Sequence, residues 1–255
     1  QDRLKVGAER LGMELCSCSV DASAVDCLAA SDVEVYKVAS FEIVDLPLIR
    51  HVARTGKPII MSTGMATLNE IDEAVRAARE AGAQQIALLK CTSAYPAPPE
   101  EMNLRTIPHL AAAFDLPVGL SDHTLGIAAP VAAVALGACI VEKHFTLSRS
   151  VPGPDSAFSL EPHEFRAMVQ AIREAERALG DVSYEVTGRE AASRVFRRSL
   201  FVVHDVKAGE ILTADNVRSI RPGNGLHTRY LEQILGRRAR VDILRGTPLS
   251  WDLVQ

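Results

Sequence analysis

Leu116-Pro-Val-Gly-Leu-Ser-Asp-His-Thr-Leu-Gly126 and Ile140-Val-Glu-Lys-His-Phe-Thr146 bracket the stretch that decides the fold. Residues 117–120 and 138–141 are short apolar runs that read as buried parallel strands, and the Ala-rich residues 127–136 between them read as a crossover helix. Each run ends in a polar cluster carrying one histidine. In a βα barrel the carboxyl ends of neighbouring strands lie side by side on one face, so His123 and His144 are expected to converge there. Two neutral imidazoles with water make an open divalent-metal site that leaves room for a substrate oxygen. Either histidine alone is better explained as satisfying backbone groups at a strand end. Two in equivalent places, each beside a carboxylate (Asp122, Glu142), favour a site.

Working outward, residues 13–18, 33–39, 58–61 and 86–90 read as four further strands. Helices are expected over 2–11, 22–30 with Asp21 as N-cap, 46–55, 68–81, a segment ending at 114, and 162–179. Six strands alternating with helices imply a parallel sheet with right-handed crossovers, either doubly wound or a barrel. No strand is followed by a G-x-G-x-x-G or Walker loop, which weighs against nucleotide binding. The strand ends instead carry Lys37-Val-Ala-Ser40, Met61-Ser-Thr-Gly64, Lys90-Cys-Thr-Ser93 and Ser121-Asp-His-Thr124. Repeated hydroxyls, backbone N–H groups and a lysine are what a phosphate and a carboxylate require. For any single Ser or Thr, helix capping explains its place equally well.

The composition sets limits. The chain has 255 residues, 47% apolar and only 5% aromatic, which suits a core of Ala, Val, Leu and Ile. A net charge of −4 with interspersed signs and no basic run argues against nucleic-acid binding, so a phosphate-bearing substrate needs local cations. No apolar run approaches the ~20 residues of a membrane span and no signal peptide is evident, so a cytoplasmic protein is expected. Five scattered cysteines are expected to be reduced, with Cys16 and Cys18 packed in a core. Residues 1–180 read as one α/β domain and 181–196 as a linker. Residues 197–255 read as a small β-rich domain with runs at 199–203, 216–220 and 239–243. About 58 residues make a marginal core, so this domain is expected to dock on something.

Taken together, Tyr36-Lys-Val-Ala-Ser-Phe-Glu42, Met61-Ser-Thr-Gly-Met65, Cys91-Thr-Ser-Ala-Tyr-Pro96, Gly119-Leu-Ser-Asp-His-Thr124, Glu142-Lys-His-Phe-Thr146 and Gly153-Pro-Asp155 resemble, in order and spacing, the sialic acid synthase family. The tail, Val206-Lys-Ala-Gly-Glu210 through Ile220-Arg-Pro-Gly223, resembles that family's antifreeze-like (SAF) domain. The resemblance implies a TIM-type (β/α)8 barrel lacking its first two βα units here, joined to a SAF domain. It implies condensation of phosphoenolpyruvate with an N-acetylated amino sugar, with Mn2+, Mg2+ or Co2+ as cofactor, in a domain-exchanged homodimer. Carried over by position, it implies His123 and His144 as metal ligands, and Lys37, Ser40, Ser62, Ser93 and Ser121 as contacts to phosphoenolpyruvate. Glu42, Tyr95 and Asp155 are implied near the sugar, and Arg221 as an arginine reaching the partner subunit's site. Cys18 departs from the family, standing where a hydroxyl is usual. Within the family, Gly-Pro-Asp-Ser156-Ala-Phe158-Ser-Leu160 is most similar to pseudaminic acid synthases, with N-acetylneuraminate or legionaminate synthases as alternatives. A non-catalytic barrel scaffold or sugar-binding protein is the reading of a different class.

Overall fold

In the computed structural model residues 2–255 are described. Helix α1 (Asp2–Arg10) leads into β1 (Cys16–Cys18), α2 (Ala22–Ala30), β2 (Val35–Val38), α3 (Leu46–Ala53), β3 (Ile59–Ser62) and α4 (Leu68–Glu80). There follow β4 (Ile86–Cys91), α5 (Thr106–Phe114), β5 (Val118–Asp122), α6 (Ala128–Ala135), β6 (Val141–Lys143) and α7 (Pro162–Leu179). The six strands form one parallel sheet in sequence order, β1 to β6. That order separates the two architectures the sequence left open. A doubly wound sheet reverses its strand order at a switch point and places helices on both faces. Right-handed crossovers that never reverse keep every helix on one side and curl the sheet around the other. The result is a curled half-barrel with β1 and β6 as its edges.

Strand alternation then sorts the side chains. Ile59 and Met61, Ile86 and Leu88, and Val118 and Leu120 lie on the outer face and are buried in one core with Ile49, Val52, Val75, Ala78 and Leu110 from the helices. Lys37, Ser62, Cys91, Ser121 and Glu142 fall on the opposite, inner face by the same register. Caps fix the helix starts: Asp21 accepts from the Ala24 N–H at 2.8 Å, and Thr67 and Glu70 form a reciprocal capping box on α4.

Three readings shift. The strand expected at 13–18 pairs only at Cys16–Cys18, and because β1 is an edge, both cysteines are exposed rather than packed in a core. The second histidine strand runs Val141–Lys143, not 138–141, since its apolar start is a connector following Gly137, which turns at φ +98°. That connector presses on β5: a Cβ on Gly119 would sit 2.4 Å from the Ile140 carbonyl oxygen, so only glycine fits there.

The second compact unit is Asp181–Gln255. The expected linker holds a short helix, α8 (Gly188–Ser193), started by a capping box between Thr187 and Glu190. Strands β7 (Ser199–Val202) and β8 (Val217–Ile220) pair antiparallel, and a one-turn helix α9 (Leu231–Ile234) follows. Residues 239–243 form no strand. Their backbone is shared between two segments, Ala239 bridging Val254 and Ile243 bridging Val206, so no continuous ladder develops. Leu200, Val202, Leu212, Val217, Ile234 and Leu249 fill this unit's own core.

Candidate active site

The carboxyl ends of β5 and β6 bring the two histidines together, with ring centroids 5.3 Å apart. His123 Nδ1 lies 2.9 Å from the Thr92 carbonyl oxygen. A carbonyl only accepts, so Nδ1 carries a hydrogen, which leaves Nε2 as the nitrogen that a cation would take. His144 Nδ1 faces Asp155 Oδ2 at 3.6 Å, beyond hydrogen-bond length, so Asp155 acts on it as a nearby negative charge. Burial and the adjacent His123 lower the pKa of His144 and hold it neutral. Burial also disfavours charge on His123, but hydrogen bonds to Cys91 and the Thr92 carbonyl outweigh it and raise that pKa. Among the described residues no third His, Cys, Asp or Glu makes a cluster of three with this pair. Two imidazoles, each with one nitrogen turned away from its second partner, suit a divalent cation that takes its other ligands from water and substrate.

Around this pair stands an aromatic wall. The Tyr95 ring lies 4.2 Å from His123, and Phe158, 7% exposed, meets His144 edge-on at 5.0 Å. Below it, Lys37 is 4% exposed and its Nζ lies 3.4 Å from Glu142 Oε1. Ser121 Oγ donates to the same oxygen at 2.7 Å. A cavity of about 210 Å3 opens here, lined by Ser121, His123, Glu142 and His144 among others.

A second group of hydroxyls lies at the tips of β2, β3 and β4. Gly64, at φ +38°, is held so close that a Cβ there would come within 2.3 Å of Ser40 Cβ and 2.8 Å of Ser93 Oγ. Ser62 Oγ is buried with no hydrogen-bond partner, a cost of about 1–3 kcal/mol that a bound acceptor or donor would remove. Backbone closeness, the unpartnered Ser62 hydroxyl and Lys37 fit an anionic ligand.

The structure thus gathers Lys37, Ser121, His123, His144, Tyr95 and Asp155 in one place and Ser40, Ser62 and Ser93 in a neighbouring one. Glu42 sits in the turn after β2, partly exposed, its backbone N–H donating to the Ala39 carbonyl, and belongs to neither group. Arg221 belongs to the second unit, exposed on the turn after β8. Two residues take parts that the sequence does not show. Glu142 reads there only as a carboxylate beside a histidine, because a strand placed at 138–141 ends before it. Lys90 points outward and donates to the Cys91 carbonyl at 2.7 Å and to Thr92 Oγ1 at 3.0 Å, bracing the residue that holds His123.

Known proteins resemble both units of the chain. Residues 1–184 match the NeuB family and residues 197–255 the SAF domain. A pseudaminic acid synthase of Helicobacter pylori is 42% identical over 97% of this chain and 73% of its own length. An N,N'-diacetyllegionaminic acid synthase of Campylobacter jejuni is also 42% identical, over 90% of this chain and 70% of its own. The crystal structure of the spore coat polysaccharide biosynthesis protein SpsE of Bacillus subtilis superposes with a TM-score of 0.68 at 38% identity, covering 99% of this chain and 76% of that one.

Proposed function

The chain belongs to the NeuB family, the sialic acid synthase family of condensing enzymes, and from that membership we propose that it is a pseudaminic acid synthase. In this reading it joins phosphoenolpyruvate to a 2,4-diacetamido-2,4,6-trideoxy hexose, giving a nine-carbon nonulosonic acid and phosphate. The observation that carries it is the meeting of His123 and His144 at 5.3 Å beside Lys37, Ser121 and Glu142.

His123 and His144 would hold a divalent metal through Nε2, and such an ion supplies Lewis-acid polarisation of the acceptor aldehyde when bound. Lys37 and the hydroxyls of Ser40, Ser62, Ser93 and Ser121 hold the anionic donor, contributing orientation and charge balance. Carbon 3 of phosphoenolpyruvate attacks the aldehyde carbon while positive charge develops at carbon 2. Water adds to carbon 2, and the resulting tetrahedral adduct expels phosphate. Glu142, held by Lys37 and Ser121, is placed to accept the proton that this water loses. Tyr95 and Asp155 flank the acceptor side, with Glu42 at its rim.

Large apolar side chains ring this face, among them Phe41, Met65, Leu125, Phe145 and Leu147, all more than half exposed. Their exposure supports a homodimer in which a second copy covers the site and contributes Arg221. Among the described residues no helix is long and apolar enough to cross a membrane; a cytoplasmic enzyme is part of the proposal, resting on its kinship with biosynthetic synthases.

The legionaminic acid synthase of C. jejuni matches as well as the pseudaminic acid synthase of H. pylori, so the acceptor is the point to test. Phosphate release should be followed with phosphoenolpyruvate, Mn2+ and a panel of 2,4-diacetamido-2,4,6-trideoxy hexoses and N-acetylmannosamine. Preference for the pseudaminic precursor supports the assignment. Preference for another sugar reassigns the acceptor, and no release with any of them rejects a synthase.

A further inference from the structure

Behind the two histidines lies a second polar cluster that takes no part in the chemistry above. Asp122 and Lys143 are the last residues of β5 and β6 and stand opposite each other in the parallel register. Each immediately precedes one of the histidines. Alternation sends the histidines to the inner face and this pair to the outer one, where the side chains are 0% and 1% exposed. The network closes on itself. Lys143 Nζ bonds both Asp122 Oδ2 and the Thr124 carbonyl, while Asp122 accepts from the Thr124 N–H at 2.9 Å and from its hydroxyl at 3.2 Å.

A buried ion pair is a poor way to gain stability, because desolvating two charges cancels most of their attraction, and apolar residues of similar size often serve as well or better. What such a pair gives is geometry: one lysine position satisfies both the carboxylate and the carbonyl, so the strands cannot slide or splay without losing both bonds. The strand tips are where that matters. β6 has only three residues and is an edge of the sheet; just beyond it the backbone is held on its other side by the Phe145–Leu160 bridge, so the clamp fixes the side that faces β5.

We infer that Asp122, Lys143 and Thr124 form a positioning clamp that sets the separation of the two imidazoles and so tunes cation affinity at the site. This rests on the histidine reading given under the proposed function. The three are positioning residues: Asp122 and Lys143 border the cavity beside the histidines, but their side chains are spent on each other and on Thr124. His123 gains a second anchor from the Thr92 carbonyl, whereas His144 has only the half-exposed Asp155, so loosening of β6 should act chiefly on His144.

The test is Asp122→Leu/Lys143→Met in the full chain, which replaces the clamp by an apolar pair while leaving both histidines. Mn2+ binding followed by electron paramagnetic resonance should weaken by about 10- to 100-fold, the range for loss of outer-shell support at metal sites. The visible spectrum of bound Co2+ should change in position and intensity, while circular dichroism and thermal unfolding stay close to those of the parent. If the double variant does not fold, Asp122→Asn answers the same question, since it keeps the shape and drops the charge; several-fold weaker Mn2+ binding is expected. Unchanged Mn2+ affinity and an unchanged Co2+ spectrum in whichever variant folds overturn the clamp. His144→Ala is run beside them. If it binds Mn2+ like the parent, the histidine assignment itself has failed, and the two failures are told apart.

Discussion

The two faces of the β5 and β6 tips hold the same kinds of residue and treat them oppositely. On the outer face, Asp122, Lys143 and Thr124 satisfy one another in a closed network away from water. On the inner face, the imidazoles each keep a nitrogen uncommitted, Glu142 is half exposed, and Ser62 nearby has no partner at all. Alternation along a strand produces both faces from adjacent residues. Polar groups that find every partner inside the protein serve as scaffold; those left with open valences are where a ligand can bind.

The sharpest way to break this contrast is to truncate one residue from each face of this pair of parallel strands. His144→Ala on the inner face should lower kcat/KM with phosphoenolpyruvate and acceptor by at least about 1000-fold, as expected when a metal ligand is lost. The fold should survive, because the side chain is 31% exposed and leaves no sealed cavity. Leu120→Ala, fully buried on the outer face, should do the reverse. It should cost about 2–5 kcal/mol of stability in chemical denaturation, with activity retained in the fraction that folds. A stable, active His144→Ala protein would erase the distinction.

Lys37→Met tests the inner face at its deepest charge. The change keeps the apolar stem and removes the cation that meets Glu142, and kcat/KM for phosphoenolpyruvate should fall about 100-fold, mostly through KM. An unchanged KM with a lowered kcat would move Lys37 from holding the donor to supporting Glu142. Arg221→Ala should have a smaller effect, about 10-fold on the acceptor's KM with the donor's unchanged, if it reaches the site of a second copy. A change in stability alone would confine Arg221 to its own unit.

Much of this was legible because periodicity reports burial. The 162–179 helix and the Asp21 cap match the structure to the residue, and the alternation of strands and helices announced the parallel sheet. Strand ends were harder. Residues 138–140 are as apolar as a strand, yet they form a connector packed against Gly119, and that contact lies 21 residues away in the chain. Misplacing this boundary hid the inward direction of Glu142. The clamp was equally invisible: in sequence Asp122 reads as a carboxylate flanking the histidine site, and only register turns it to the outer face to meet Lys143. In the second unit, residues 239–243 have strand composition but divide their bonds between two neighbours, which no local pattern predicts. The helix α8 carried a readable Thr187-x-x-Glu190 signature within a stretch that otherwise reads as a linker.

The smallest effect comes from an exposed counterpart of the buried clamp. Arg149 grips Glu164 at the start of α7 with both guanidinium nitrogens, one at 2.9 Å, and the same carboxylate accepts from the Glu161 N–H at 2.8 Å. The hydrogen bond from Arg149, then that from Glu161, pulls the Glu164 pKa from 4.5 down to about 2. With side chains 38% and 29% exposed, water screens most of the gain, so this pair should matter far less than its charges suggest. A carboxylate whose pKa is depressed in the folded state stabilises fully above its unfolded value and loses that contribution as pH falls towards its folded one. Glu164→Gln should therefore lower Tm by about 2–4 °C at pH 7, and the gap should close between pH 4.5 and pH 2. A gap that stays constant across that range would assign the loss to packing at the helix start.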